Sequence, residues 1–133
     1  MRDFAGRLMA HESGARSANQ RAVAAFAIPD RMRPYLVMLM GNGGHHALLM
    51  RALTVAGSEV PWLRACRVGV DGNLKGPDPS ERAIDPDEMI EGEVVLVAQL
   101  IGLLVAFIGE RLTLQLVREV WPKLPAKNLN FKN

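Results

Sequence analysis

The chain has 133 residues, of which 49% are hydrophobic and 23% charged, with one Cys and a formal net charge of +2. The length fits a single domain, and the apolar fraction is sufficient for a packed core and too high for an intrinsically disordered chain. One cysteine excludes an intramolecular disulfide framework and a Cys-rich zinc site. Composition therefore excludes several classes of protein and selects no function.

The small net charge hides a strong segregation along the sequence. Residues 1–67 carry nine Arg, no Lys and four acids, residues 71–93 carry eight acids against two bases, and the chain from Val94 onward is basic again. This order favours charge pairing within the fold or between subunits. Because no Lys/Arg cluster has the density of a nucleic-acid-binding arm and aromatic residues are few, a nucleic-acid partner is disfavoured.

The first segment, residues 1–27, is rich in Ala and Arg. Phe4, Leu8 and His11 recur at helical spacing, which predicts one or two surface helices in this segment. The start of the sequence lacks the apolar region of a secretory signal, and we expect a cytoplasmic protein.

Residues 31–67 are predicted to be helical. Asp30 is a candidate N-cap for a short buried helix over 31–40, although an apolar run of this length also permits a strand. An apolar stripe predicts a second helix from Gly44 to Gly57, and a further helix of two turns is expected before residue 67.

The second half of the chain contains the strongest secondary-structure signals. Asp71-Gly72 between alternating apolar residues predicts a hairpin turn within 68–85, and the rest of that segment is an acidic, Pro-rich connector. Asp85-Pro86, followed by two acids, is typical of a helix start and opens a long helix over 86–121, with a tail at 122–133.

A helix over 86–121 is longer than a compact domain of this size is wide. It must therefore bend or break near Gly102 or Gly109, or project into a partner. The predicted fold is a single, mostly α domain: a bundle of about four or five helices with one long C-terminal helix and a small β-hairpin or irregular excursion.

The part of the long helix over 94–109 is apolar on every face except at Gln99, and such a helix must be buried on every face. A chain of this length hardly surrounds it, which favours a second subunit. Small residues spaced four apart allow two helix backbones to approach closely. The candidate interface comprises Ala98, Gly102 and Ala106 at the closest approach, with Leu100, Leu103, Leu104 and Phe107 packing around them.

A membrane-inserted helix at 94–109 is the competing interpretation of the same segment. Its uncharged run is sixteen residues long, whereas a transmembrane helix needs about 20. Neither flank carries a strong Lys/Arg anchor, so burial in protein is favoured over burial in lipid.

The stretch from Gly41 to His46 has the most site-like composition. Free backbone N–H groups at a helix start can hold an anion, which makes Gly43, Gly44, His45, His46 and Arg51 candidate ligand-binding residues. The alternative is a tight turn between antiparallel helices, which we favour because no phosphate-loop pattern is present. Adjacent histidines diverge on a helix, so no metal site is predicted.

The sequence thus predicts a small helical interaction protein that acts as a homo-oligomer or binds a protein partner, with no catalytic residue and no cofactor. An anion- or small-ligand-binding protein or enzyme using the Gly41–His46 loop is the alternative.

Overall fold

The computed structural model describes residues 1–13, 27–70, 72, 74–75, 85–125, 127, 129 and 131. Within this part of the chain the fold is mostly helical, with four α-helices and a two-stranded antiparallel hairpin, as predicted. The elements are α1 (Arg2–Ser13), α2 (Ala27–Glu59), a short 3-10 helix (Pro61–Ala65), β1 (Arg67–Val68), β2 (Leu74–Lys75), α3 (Pro86–Ile108) and α4 (Glu110–Val120).

Helix α1 is the helix predicted at the start of the chain, and its apolar face belongs to the core. Phe4 and Leu8, which share one face, are buried, and this face packs mainly against α3. Arg2 at its start forms a salt bridge with Glu59 at the end of α2. The opposite face of the helix, with Asp3 and His11, is exposed. A second helix within 14–26 lies outside the described residues.

Helix α2 contains the two helices that the sequence predicts, joined at a kink. Gly41 has φ 77° and ψ 169°, a conformation that is essentially restricted to glycine. The helix begins at Ala27, and Asp30 lies in its first turn, so the prediction that Asp30 is the N-cap was wrong. The earlier start buries Ile28 in the core.

The predicted long helix breaks at Gly109 and not at Gly102. Gly109 has φ 87° and ψ 162°, close to the conformation of Gly41. Its N–H donates to Val105 O at 2.9 Å, and its carbonyl accepts from Thr113 N at 3.1 Å and from Thr113 Oγ1 at 2.8 Å. These backbone bonds are the last i→i−4 bond of α3 and the first of α4, so one helix ends and the next begins at Gly109 without an intervening loop.

Helix α3 is the centre of the core. It packs against α1, α2 and α4, and these contacts bury most of its middle section. The buried residues of this section are Val95, Leu96, Val97, Ala98, Leu100, Ile101 and Leu104. The chain therefore covers the middle of this apolar helix with its own helices and leaves the last turn, at Ala106 and Phe107, exposed.

The 3-10 helix is attached to the start of α3 through Trp62. Its indole N–H donates to Glu88 O at 3.1 Å, and the ring lies on the backbone of Gly92. A Cβ atom at position 92 would lie 2.7 Å from Trp62 Cε2 and 2.8 Å from Nε1. The close approach of ring to helix thus requires glycine at this position.

Gly92→Ala should lower the free energy of unfolding by about 1–3 kcal/mol, since overpacking displaces the buried indole. Gly6→Ala is the matched control, because a Cβ atom at Gly6 meets nothing within 4 Å. That change should be neutral or stabilising by up to about 1 kcal/mol, the helix-propensity gain of Ala over Gly. Urea unfolding followed by circular dichroism measures both; a Gly92→Ala protein as stable as the original contradicts the proposed close packing.

Candidate functional site

The structure divides the predicted interface residues between the core and the surface. Ala98, Leu100 and Leu104 are buried by the chain's own helices. Gly102 and Leu103 are half-buried, and a Cβ atom on Gly102 would meet nothing within 4 Å. Ala106 and Phe107, in the last turn of α3, are exposed. Only the C-terminal end of the predicted stripe is therefore available to a partner.

Exposed apolar side chains cluster around the two helix breaks. Phe107 has 73% of its surface exposed and Met38 has 89%, and Leu39 and Leu112 are also more than half exposed. Met38 and Leu39 precede the break at Gly41, whereas Phe107 and Leu112 flank the break at Gly109. We call these four side chains, with the two grooves beside them, the helix-break surface. Contiguous exposed apolar surface of this kind marks interaction sites in soluble proteins.

Two grooves run along the helix-break surface and share Leu39 and Ile108. The first, the Phe107 groove, has a volume of about 770 Å³. It is lined by Leu39, Met40, Gly44, Ala47, Leu48, Arg51, Leu103, Ala106, Phe107 and Ile108. The second, the Leu112 groove, has a volume of about 300 Å³. It is lined by Tyr35, Met38, Leu39, Ile108, Leu112, Gln115, Leu116 and Glu119. The shared residues make the two grooves one continuous apolar surface.

The charged residues of the helix-break surface lie in different grooves. Among the described lining residues, Arg51 is the charged one in the Phe107 groove and Glu119 the charged one in the Leu112 groove. Both side chains are exposed. Tyr35 Oη donates to Glu119 O at 3.5 Å, a contact between the first half of α2 and the end of α4.

The Gly41–His46 segment does not form one site. His45 is 2% exposed, and its ring packs against the hairpin turn, with Nδ1 3.2 Å from the position that a Cβ atom on Gly72 would take. His46 points into a different cleft, Gly43 is exposed, and Gly44 and Arg51 line the Phe107 groove. The candidate ligand residues are thus distributed over separate faces of α2.

Burial also determines the ionisation of His45. Its pKa is lowered first by burial and then by the positive charge of Arg33 and by His46. The imidazole is therefore a neutral packing group near neutral pH. Among the described residues, no three His, Cys, Asp or Glu side chains lie together as a metal site requires.

A second cleft, of about 630 Å³, opens between the second half of α2 and the segment that follows it. It is lined by His46, Met50, Leu53, Thr54, Leu63, Arg64, Cys66, Arg67 and Val68. We call it the basic cleft, because its charged lining residues are cationic. Burial raises the pKa of the Cys66 thiol to about 11, so this thiol is a protonated wall residue rather than a nucleophile.

In the described part of the chain, one helical segment, Asp87–Ile108, is long and apolar enough to cross a membrane. Half of its most apolar window is buried inside the protein, and the central helix of a soluble core satisfies the same criterion. The segment therefore gives weak support to the membrane interpretation.

Glu93 is a buried carboxyl group in the acidic start of α3. It is 2% exposed, whereas its neighbour Glu91 is exposed. Burial, and secondly the negative charge of Asp30, raise the pKa of Glu93 to about 9. The side chain is therefore protonated at neutral pH. The sequence shows Glu93 only as one of several acids at a helix start, where acids are common.

Glu93→Gln should raise the free energy of unfolding at pH 7 by up to about 3 kcal/mol, because the folded chain holds a proton that the unfolded carboxyl releases above its ordinary pKa of 4.5. The stability contributed by Glu93 is fully present below pH 4.5 and decreases as the pH rises towards 9, so the difference between the two proteins should disappear at pH 4.5. Denaturant unfolding at both pH values tests this, with Glu91→Gln as the exposed control; a pH-independent difference contradicts it.

Comparisons of this chain with protein-family models, curated proteins and solved structures found no match.

Proposed function

We propose that this protein is a non-catalytic helical interaction module that self-associates through the helix-break surface. The observation that carries the proposal is the exposure of Phe107 beside an apolar groove of about 770 Å³. An exposed aromatic side chain, next to a concave apolar surface that the described residues leave open, matches the anchor and pocket of a protein interface.

A second copy of the chain fits this surface because the projection and the groove lie side by side on one face. In a twofold dimer the same patch occurs on both subunits and must be complementary to itself. Rotation about an axis between Phe107 and the Phe107 groove places each phenyl ring in the groove of the other subunit. Both rings are then removed from water by one symmetric contact.

The charges of the helix-break surface favour the same arrangement. Arg51 and Glu119 lie in the two neighbouring grooves. An antiparallel pairing of two patches brings the arginine of one copy towards the glutamate of the other. Opposite charges at the rim select the orientation of association more than they strengthen it.

Insertion of the helix-break surface into a membrane is the competing explanation of its exposure. Glu119, Arg51 and the charged pair Glu110-Arg111 lie beside or within the surface. Neither groove presents the cluster of basic residues that attracts anionic headgroups. These charges are compatible with a protein partner and costly in hydrocarbon.

Phe107→Glu should weaken self-association at least about 100-fold, because the twofold contact contains two phenyl rings and the burial of each contributes about 1.5–3 kcal/mol. Sedimentation velocity over a range of protein concentrations, without detergent, measures the dissociation constant. Val70→Glu is the matched control, because Val70 is fully exposed on the hairpin, outside the helix-break surface.

Equal weakening by both substitutions, or a monomer at all concentrations for the unmodified chain, contradicts self-association at this surface. Flotation of the unmodified protein with lipid vesicles, lost in Phe107→Glu, would instead establish the membrane alternative and overturn the proposal.

Reversal of the two rim charges distinguishes a second copy from an unrelated partner. Arg51→Glu and Glu119→Arg should each weaken self-association about three- to tenfold, and the double variant should recover most of the loss, because the pair is restored with opposite polarity across the twofold axis. The same sedimentation experiment, carried out at low salt, measures the dissociation constant of each variant. Additive weakening in the double variant contradicts the antiparallel pairing.

A further inference from the structure

We propose that the basic cleft binds an anionic amphiphile: a small molecule with one carboxylate or phosphate group on an apolar chain or ring. The cleft lies on a different face of α2 from the helix-break surface, and its lining combines two arginine side chains with a mainly apolar wall. Its volume of about 630 Å³ falls within the range of about 300–1,000 Å³ typical of small-molecule sites.

Arg64 is held in place by the backbone of α2. Its Nε donates to Gly57 O at 3.0 Å, and its stem lies against Gly57, where a Cβ atom would be 3.2 Å from Arg64 Cγ. The bond to Gly57 uses Nε alone, and no carboxylate among the described residues lies within salt-bridge distance of Arg64. A guanidinium that is positioned in this way keeps donors for a ligand anion and loses little freedom when one binds.

Arg67 is the second cationic side chain of the lining, and His46 adds an imidazole. Both are exposed, and among the described residues neither has a carboxylate within salt-bridge distance. The described lining residues include no acid. A cleft whose described lining carries two arginines and no acid attracts anions and repels cations.

The apolar wall determines the rest of the ligand. Met50 and Leu53 come from α2, and Leu63 and Val68 come from the 3-10 helix and β1. Cys66 adds a neutral thiol, since burial keeps it protonated. A free phosphate ion would leave this wall in contact with water, so the lining favours an anion that carries an apolar body.

Calorimetric titration with decanoate, decyl phosphate and decanol, each below its aggregation concentration, tests the site. Both anions should bind at least tenfold more tightly than decanol. The anion with the lower dissociation constant identifies the preferred head group. Arg67→Met should weaken binding of the anions at least tenfold and leave decanol unchanged. Arg118→Met, on the exposed face of α4, is the control and should change neither.

Amide chemical-shift changes in the labelled protein locate the bound probe. The changes should cluster at residues 46–68 and disappear in Arg67→Met. Equal affinity for anions and decanol, the absence of binding, or shifts confined to Leu103–Phe107 would overturn the proposal. The Phe107→Glu variant should bind the anions as the unmodified chain does, so this test and the test of self-association fail independently.

Discussion

The architecture depends on two glycines that break long apolar helices with nearly the same backbone geometry. Gly41 and Gly109 both combine a φ near +80° with a ψ near 165°, a region that side chains with a Cβ atom essentially do not enter. Each break lets the chain change direction without an intervening loop. Since Leu39 and Ile108 line the same grooves, the two breaks lie beside each other in the fold.

The break at Gly41 also affects how α3 is covered. A straight helix over the whole apolar segment would leave much of α3 without neighbours, whereas the break at Gly41 brings both halves of α2 within reach of it. Among the described residues, Phe107 and Met38 beside the two breaks remain largely exposed.

The sequence predicts the elements of this fold better than the way they cover each other. Turn and capping residues correctly predict a hairpin after residue 67 and a helix that begins after Asp85, whereas the sequence left the site of the helix break open between Gly102 and Gly109. They act locally, so a single sequence is sufficient to recognise them. The apolar run over 94–109 predicts complete burial, but a hydrophobic pattern does not identify what provides it.

The candidate sites show the same difference: the sequence gives the position of a residue along its helix, but not its burial in the folded chain. The spacing of Ala98, Gly102 and Ala106 correctly places them along one helix, yet the structure buries the first and exposes the last. Met38 and Leu112 join the helix-break surface only because two breaks meet, and nothing in their own sequence context indicates it. The one local signal in the sequence that could have identified this surface is the presence of glycines, Gly41 and Gly109, at the ends of apolar helical runs.

The second half of α2 separates the two proposed binding surfaces by helical geometry alone. Residues on one face, including His46 and Met50, line the basic cleft, whereas Ala47 and Arg51 on another face line the Phe107 groove. Five residues on a helix rotate the side chain by about 140°, so His46 and Arg51 cannot converge on one ligand. The composition of the Gly41–His46 stretch and Arg51 suggests one site, but the helical spacing places His46 and Arg51 in two different sites.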